Sequence, residues 1–306
     1  MTDTQTTLAT SSAVAPGTCG ELAQGMLDGV TFLLTCPIDL YATATVEWRE
    51  GDGKISAPSA SSKAALALQY TLEFLGIGDR LDAKLYLKSP LPRGKGMASS
   101  TADVAATVVA TAIAAGRPVS DDVIAEIALR IEPSDGLMYS GITRFDHRLG
   151  SYAQKLGDPP PMRVVILDFG GTVDTLQFNN VDVSASLISS EEVLREAVEL
   201  ISQGIQESDV EKIGRGSTMS ARANQAILYK PQLENAIALA SEIGAAGVNV
   251  AHSGTVIGML VEDDDMQVRR AASLAWERLA GLKSVRCQRV IGGGVTAIAK
   301  REVLGI

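Results

Sequence analysis

The chain has 306 residues, 46% hydrophobic and 21% charged, enough for a sizeable core and, by length, for two domains of about 150 residues each. A net charge of −9 with only 4% aromatic residues excludes a nucleic-acid surface, which needs clustered Lys/Arg and rings for stacking. Cys19, Cys36 and Cys287 are odd in number and widely spaced, so a disulfide framework and a zinc site are both excluded and a reducing cytoplasm is the expected setting.

Residues 1–12 are rich in Thr and Ser and carry Asp3 but no Lys or Arg. They lack the basic start and apolar centre of a signal peptide and are expected to be a disordered tail. Strands are predicted at Thr31–Thr35, at Tyr41–Trp48 with period-two alternation, and at Lys84–Lys88. A helix opens near Ser100 and runs to Gly116, with Pro118 just beyond. Its longest apolar stretch, Val104–Ala115, is broken by Thr107 and Thr111 and is too short to span a bilayer, so no membrane association is expected. Ser120, Asp121 and Asp122 start a second helix, with apolar Val123, Ile124, Ile127, Ala128 and Ile131 at helical spacing. It stops at Glu132 because Pro133 disfavours helical geometry in the residue before it.

Gly157-Asp-Pro-Pro-Pro161 reads as a boundary, giving domains over 13–157 and 158–306. Beyond it come a strand at Arg163–Asp168, a helix opened by a Ser189/Glu192 capping box and running to about Ser202, and a helix at Pro231–Ile243. Strands at Val248–Val250 and Val256–Val261 flank the loop His252–Thr255. A helix at Met266–Leu279 and strands ending at Lys300 complete the order. Gly292–Gly294 reads as a bend between strands.

The most informative segment runs from Pro92 through Arg93, Gly94, Lys95, Gly96, Met97, Ala98, Ser99, Ser100 and Thr101 to Asp103. Gly94 and Gly96 allow a tight turn and close approach of a ligand to the backbone. Ser99, Ser100 and Thr101 place hydroxyls and N–H groups at a helix N-terminus, where free donors and the helix dipole favour an anion such as phosphate. The spacing does not match G-x-x-x-x-G-K-[ST]. The competing reading is an ordinary glycine loop in which Ser100 and Asp103 form a capping box.

Pro92, Gly96, Ser99, Ser100 and Ala102, in the pattern P-x-x-x-G-x-x-S-S-x-A, resemble the ATP-binding signature of the GHMP kinases. Ala15-Pro-Gly-Thr-Cys-Gly-Glu-Leu-Ala-Gln-Gly25 resembles that family's N-terminal substrate motif. Together with Thr35-Cys-Pro-Ile-Asp39 it is similar to the L-threonine kinase branch of cobalamin and propanediol-utilisation pathways. Ala251-His-Ser-Gly-Thr-Val-Ile-Gly258 is similar to the C-terminal glycine motif, with fewer glycines than usual.

Glu132-Pro-Ser-Asp-Gly136 supplies carboxylates. At a helix C-terminus, facing the negative end of the dipole, Glu132 needs a cation nearby. Mg²⁺ held by Glu132 and the Ser100 hydroxyl would meet that need, whereas on a purely structural reading Glu132 and Asp135 cap their turn. His147 and His252 are too few for a histidine metal site, and His147 reads as a structural histidine.

The resemblance implies an α+β fold of two domains, the first similar to ribosomal protein S5 domain 2 and the second ferredoxin-like. It implies an ATP-dependent L-threonine kinase making O-phospho-L-threonine for the aminopropanol arm of cobalamin. Residues 92–101 would bind ATP, with Lys95 or Arg93 neutralising charge on the transferring group. Thr18, Cys19, Gly20, Glu21, Gln24, His252, Ser253, Gly254 and Thr255 would line the acceptor site, Glu21 pairing its ammonium group. Asp135 would act as base or as a second carboxylate near the metal. The expected partners are small molecules, and a homodimer stays open. The alternatives are a kinase for another small alcohol such as homoserine and a non-catalytic ligand sensor of the same fold.

Overall fold

Two 21-residue strands, β1 (Thr7–Leu27) and β2 (Val30–Glu50), form a hairpin from which the rest of the sheet extends. Their turn is Asp28-Gly29, with both residues at positive φ (52° and 78°). That is the two-residue Asp-Gly connection whose twist suits antiparallel strands. The computed structural model describes residues 7–59, 61–77, 81–173 and 183–298.

β1 shortens the expected tail. Residues 7–12 are strand, paired for instance through Ser12 with Thr45, while residues 1–6 lie outside the described residues. A Thr-rich segment suits a pleated surface, and its buried hydroxyls are satisfied: Ser11 donates to the Ala110 carbonyl and Ser12 meets Thr45. The two segments expected at Thr31–Thr35 and Tyr41–Trp48 are one continuous β2. Its pairing with β1 is irregular on both sides: Asp39 and Leu40 of β2 bulge opposite the Pro16–Gly17 step, whereas the shifts between Thr18 and Glu21 and between Glu21 and Ala23 put the extra residue on β1. These bulges bend the strand where the N-terminal motif lies.

The described strands are completed by β3 (Ile55–Ser56), β4 (Leu81–Lys88), β5 (Ile142–Phe145), β6 (Ala153–Gly157), β7 (Met162–Asp168), β8 (Gly247–Val250), β9 (Ile257–Glu262), β10 (Ser284–Arg289) and β11 (Thr296–Ile298). The main path runs β10-β7-β9-β8-β1-β2-β4-β3; β11 pairs β1, and β5 pairs β2 and β6. β8 joins β1 through a single residue pair, Glu21 with Val250. One residue of the N-terminal motif is thereby fixed against the strand leading into the His252 loop. Gly293 bridges to Gly141 between β10 and β11, as a bend would.

In the first half, helices α1 (Ser62–Leu75), α2 (Ser99–Ala114) and α3 (Asp121–Ile131) pack against one another and the β1–β2 hairpin. The α2 alanines at 102, 105, 106, 110 and 112 are buried. Its buried Thr107 and Thr111 donate to the carbonyls of Asp103 and Thr107 at 2.7 Å, so an almost wholly apolar environment holds no orphan hydroxyl there. α2 closes with Gly116 at φ 67° and a bond from the Arg117 N–H to the Ala112 carbonyl, a Schellman ending. α3 ends at Glu132 in extended backbone, as Pro133 requires.

The second half adds α4 (Ser184–Ser189), α5 (Glu191–Glu207), α6 (Val210–Ala223), α7 (Leu233–Ile243) and α8 (Asp265–Arg278). The Ser189/Glu192 capping box does not form: α4 runs almost directly into α5, Ser190 is the first flanking residue, and the Ser189 hydroxyl bonds back to Ser186. α1 and α6 are absent from the sequence reading. α5 and α6 complete the large core, contributing Leu194, Ile201 and Ile213, whereas α7 and α8 cover a second core around Val165, Leu239 and Met259.

α6 lies on β8 with no room for a side chain between them. A Cβ on Gly214 would meet the Ala246 backbone at 2.2 Å, and one on Gly247 would meet the Gly214 oxygen at 2.0 Å. Because the obstacle is backbone, Gly214→Ala must separate helix from strand. It is expected to cost about 1–3 kcal/mol, read as a lower urea midpoint at unchanged slope; an unaltered midpoint would show that this contact yields.

Candidate active site

The loop 94–97 is held on two sides by the other two motifs. From the N-terminal motif, the N–H groups of Thr18 and Gly20 donate to the carbonyls of Met97 (3.2 Å) and Gly96 (3.1 Å). From the C-terminal loop, the N–H groups of Thr255 and Val256 both donate to the Lys95 carbonyl, at 3.1 and 3.2 Å. Gly96 has φ 78°, and a Cβ there would lie 2.2 Å from that of Ala251; a Cβ on Gly254 would lie 2.2 Å from the Gly96 nitrogen. Only glycine permits this approach.

Ala98 enters α2 in the left-handed conformation (φ 54°), and no side chain caps the helix. The first-turn N–H groups open on a cavity of about 260 Å³, lined by Arg93, Gly94, Gly96, Met97, Ala98, Ser99, Ser100 and Thr101. The capping-box reading therefore fails. Ser100 donates to Glu132 instead, so the loop presents an uncapped helix N-terminus to a space of ligand size. Of the ten expected phosphate-loop residues, Pro92 and Lys95 do not line this cavity.

Lys95 turns away. Its ammonium lies 2.8 Å from Asp168 at the end of β7, and Asp168 also accepts from the Gly170 N–H at 2.8 Å. The charge-neutralising role expected of Lys95 is not supported by this geometry. Its side chain ties the loop to the second half, and Arg93, 3.8 Å from Asp103, is the loop cation on the cavity wall. Burial raises the Asp103 carboxyl to about 6, against the opposing pull of Arg93.

Glu132 is buried at the cavity wall, and the cation required beside it belongs to the chain itself. Lys63, in the first turn of α1, approaches its second carboxylate oxygen to 2.5 Å while Ser100 holds the first. Neither Glu132 nor Asp135 simply caps the turn. Asp135, half-buried on the cavity wall, accepts from Thr101 at 3.2 Å and faces Glu21. Burial first, then the Asp135 charge, pushes Glu21 well above the ordinary carboxylate range. Burial also raises Asp135, opposed by hydrogen bonds from Glu21 and Thr101. The pair thus holds a proton on Glu21, which donates to Asp135. Within the chain the partner of Glu21 is Asp135, and no cation stands among the causes that shift it.

Of the remaining acceptor-site residues, His252 and Ser253 line the cavity, whereas Thr18, Cys19, Gly20, Gly254 and Thr255 do not; Thr18, Gly20 and Thr255 bond the loop through their N–H groups and Gly254 packs on Gly96. Cys19 is buried and its thiol is raised by that burial. The Gln24 side-chain oxygen accepts from His252 Nδ1 at 2.7 Å, and its amide nitrogen donates to the Val250 carbonyl at 3.3 Å. The His252 ring stands edge-on to His147 with centroids 5.2 Å apart. His147 is not a satisfied structural histidine: both ring nitrogens are buried without a hydrogen-bond partner among the described residues. Burial and the neighbouring Arg148 charge lower it to about 4, so it is neutral at physiological pH.

No group of three or more His, Cys, Asp or Glu side chains among the described residues is arranged to hold a metal ion. Mg²⁺ seldom uses such a cage; it takes one or two carboxylates with phosphate oxygens and waters. The contact between the Ser100 hydroxyl and the Glu132 carboxylate is a donor set of that kind.

Comparison with known proteins agrees with this construction. A family model described as the GHMP kinases N terminal domain matches residues 61–142, and the GHMP kinases C terminal model matches residues 196–278. The L-threonine kinase of Salmonella typhimurium is 31% identical over 255 residues, 82% of either chain, and that of Citrobacter freundii is 31% identical over 251 residues, 82% of this chain and 86% of that one. The fold is shared with homoserine kinase from Cytophaga hutchinsonii (TM-score 0.76, 17% identity, 96% and 99% of the two chains) and with L. major mevalonate kinase (TM-score 0.71, 14% identity, 95% and 99%). The loop pinned between two glycine-bearing segments, the uncapped helix and the two-part α+β fold therefore belong to a GHMP kinase, an enzyme of the phosphotransferase class with an alcohol group as acceptor.

Proposed function

We propose that the chain transfers the γ-phosphoryl group of ATP to the hydroxyl of L-threonine, giving O-phospho-L-threonine and ADP. The observation that carries the acceptor is the 31% identity to two L-threonine kinases over 82% of the chain. A place in the aminopropanol arm of cobalamin biosynthesis suits that product. Incubation with ATP and a panel of small alcohols is expected to give phosphothreonine, with less turnover of serine, homoserine or mevalonate. Discrimination against serine should be modest, since one methyl group in a pocket is worth about 1–3 kcal/mol. Phosphorylation of homoserine alone would reassign the acceptor.

Phosphoryl transfer depends on positioning and charge stabilisation more than on covalent chemistry. In this reading the N–H groups from Gly94 to Thr101 cradle the phosphates, and Arg93 and Lys63 stand at the cavity wall as cations. Mg²⁺, held by Ser100 and Glu132, would neutralise phosphate charge. Ser100→Ala and Glu132→Gln are therefore expected to raise the Mg²⁺ concentration needed for half-maximal turnover. Thermal unfolding run beside the kinetics separates this from the stability effect of freeing Lys63. Unchanged Mg²⁺ dependence in both variants would leave the Glu132 cluster a structural ion pair only.

Asp135 is the group placed to take the threonine proton as the new bond forms, because its neighbour Glu21 carries the proton of the pair and leaves Asp135 able to accept one. Asp135→Asn should lower turnover about 10²–10⁴-fold with ATP affinity retained. Glu21→Gln, which still donates to Asp135, should keep most activity. Glu21→Ala removes a hydrogen bond that lowers Asp135, so the carboxyl titrates higher and the acid limb of kcat/KM moves to higher pH. An acid limb that stays in place in Glu21→Ala, or full turnover in Asp135→Asn, would remove Asp135 from the transfer step.

A further inference from the structure

Lys230, between the 3₁₀ turn Asn224–Ala226 and α7, is a buried cation, 5% exposed. Its backbone is fixed on both sides. The N–H donates to the Gln225 side-chain oxygen at 2.7 Å, and the carbonyl accepts from the Gln225 amide and from the Leu233 N–H, each at 3.1 Å. The ammonium donates to the Ala251 carbonyl at 2.9 Å, and no carboxylate pairs with it among the described residues. Burial pushes it down to about 8. An apolar side chain of the same length would fill this space without the cost of burying a charge, so the fold alone gives no reason for a lysine.

The residue that Lys230 holds is one on which two motifs rest. A Cβ on Gly96 would lie 2.2 Å from that of Ala251, and one on Gly20 would lie 2.5 Å from the Ala251 nitrogen. Ala251 also closes the loop His252–Thr255, its N–H donating to the Val256 carbonyl at 3.2 Å, while Thr255 and Val256 bond the Lys95 carbonyl. A displaced Ala251 would therefore shift the seat of the phosphate loop.

The surroundings leave the ammonium without a counter-charge. Of the charged groups on the helices to either side, Arg222 of α6 and Glu234 of α7 bind each other. On the loop, His252 feels the charges of Lys230, His147 and Arg148. His252, His147 and Arg148 line a smaller cavity of about 20 Å³, which shares both histidines with the large one.

We propose that Lys230 is a positioning residue for phosphoryl transfer: its ammonium fixes Ala251 and thereby the packing of the phosphate loop on the loop His252–Thr255. The inference rests on the kinase reading above and adds to it a residue outside the lining of the cavity. A bond from a charged donor is stronger than a neutral one, so the hold weakens as pH rises through about 8. Stability moves the other way. Between that value and the ordinary lysine range the unfolded chain binds the proton that the folded chain has released, so the Lys230 contribution to stability increases with pH.

The test uses the full chain with Mg²⁺ and compares the wild type with Lys230→Met, which keeps the side-chain length and removes charge and donor. ADP affinity by calorimetry, kcat/KM for ATP and the thermal midpoint are followed from about pH 7 to about pH 9.5, a range that brackets the Lys230 titration. At pH 7 Lys230→Met is expected to bind ADP and use ATP about 10–100-fold less well, with a thermal midpoint equal to or above that of the wild type. The functional gap should narrow as pH rises through about 8, while the wild-type midpoint gains on that of the variant.

Unchanged ADP affinity in Lys230→Met would overturn the proposal. A loss by the same factor at every pH would overturn it as well, because the charge would then have no part in the hold. Should Lys230→Met not fold, the wild type decides, and an ADP affinity that stays constant across pH 8 would overturn the proposal. ADP binding needs no acceptor, so an error in the acceptor named above would show in the product analysis and leave this result intact.

Discussion

The site depends on one contact: the Lys95 carbonyl accepting the N–H groups of Thr255 and Val256 while the next two carbonyls accept from Gly20 and Thr18. Three segments far apart in the chain are fastened at consecutive peptide units, and each junction needs a missing Cβ. An alanine at Gly96 or Gly254 would separate surfaces that now meet at van der Waals distance. With its carbonyls turned outward to these partners, the loop directs the N–H groups of the following turn inward. The helix α2 then begins without a side-chain cap, an arrangement that is costly unless an anion completes it.

The carboxylates around the cavity differ in state because their surroundings differ. Glu132 has Lys63 and Ser100 on its two oxygens. Glu21 has no cation, is fully buried, and faces another acid. Two buried carboxyls at such close range hold one proton between them. Because Thr101 and Glu21 both donate to Asp135, the charge settles there. Three acids in one small space thus divide into a cation-bound carboxylate, a buried donor and a half-buried acceptor. None needs a special backbone; burial and partners suffice.

Much of this was legible in the residues. Gly94, Gly96 and the Ser99–Thr101 run mark a helix N-terminus, Pro133 ends α3, and three glycine-bearing motifs in order point to one family. The Asp28-Gly29 hairpin was also written in the chain, but its strands carry a Thr- and Ser-rich start that reads as a tail until its partner strand is known. Lys63 could not be found by motif. It is an ordinary surface-type lysine at the start of an Ala/Leu helix, and only tertiary packing brings it to Glu132. Lys95 shows the same limit: proximity in sequence to a phosphate loop suggests a phosphate cation, whereas its ammonium is paired with Asp168, 73 residues away. Local pattern reports where the backbone can bend, and long-range ion pairs decide where a flexible side chain ends.

The same division bears on how a chain with a net charge of −9 can offer a phosphate site in a cavity whose own walls carry Glu21, Asp103, Glu132 and Asp135. Arg93, Lys63 and Arg148 stand at the cavity walls, joined by the helix dipole and a row of backbone N–H groups. On the walls Glu132 is bound by Lys63 and Asp103 faces Arg93, and other acids stand at helix starts such as Asp121 and Asp122 of α3 or Glu191 and Glu192 of α5, where they favour the helix they begin. Such acids act over short distances and are screened by salt, so they do not cancel a field made by groups a few ångströms from a ligand. A negatively charged protein can therefore bind a polyanionic nucleotide, provided that its phosphate site is built from donors held by backbone geometry rather than from net charge.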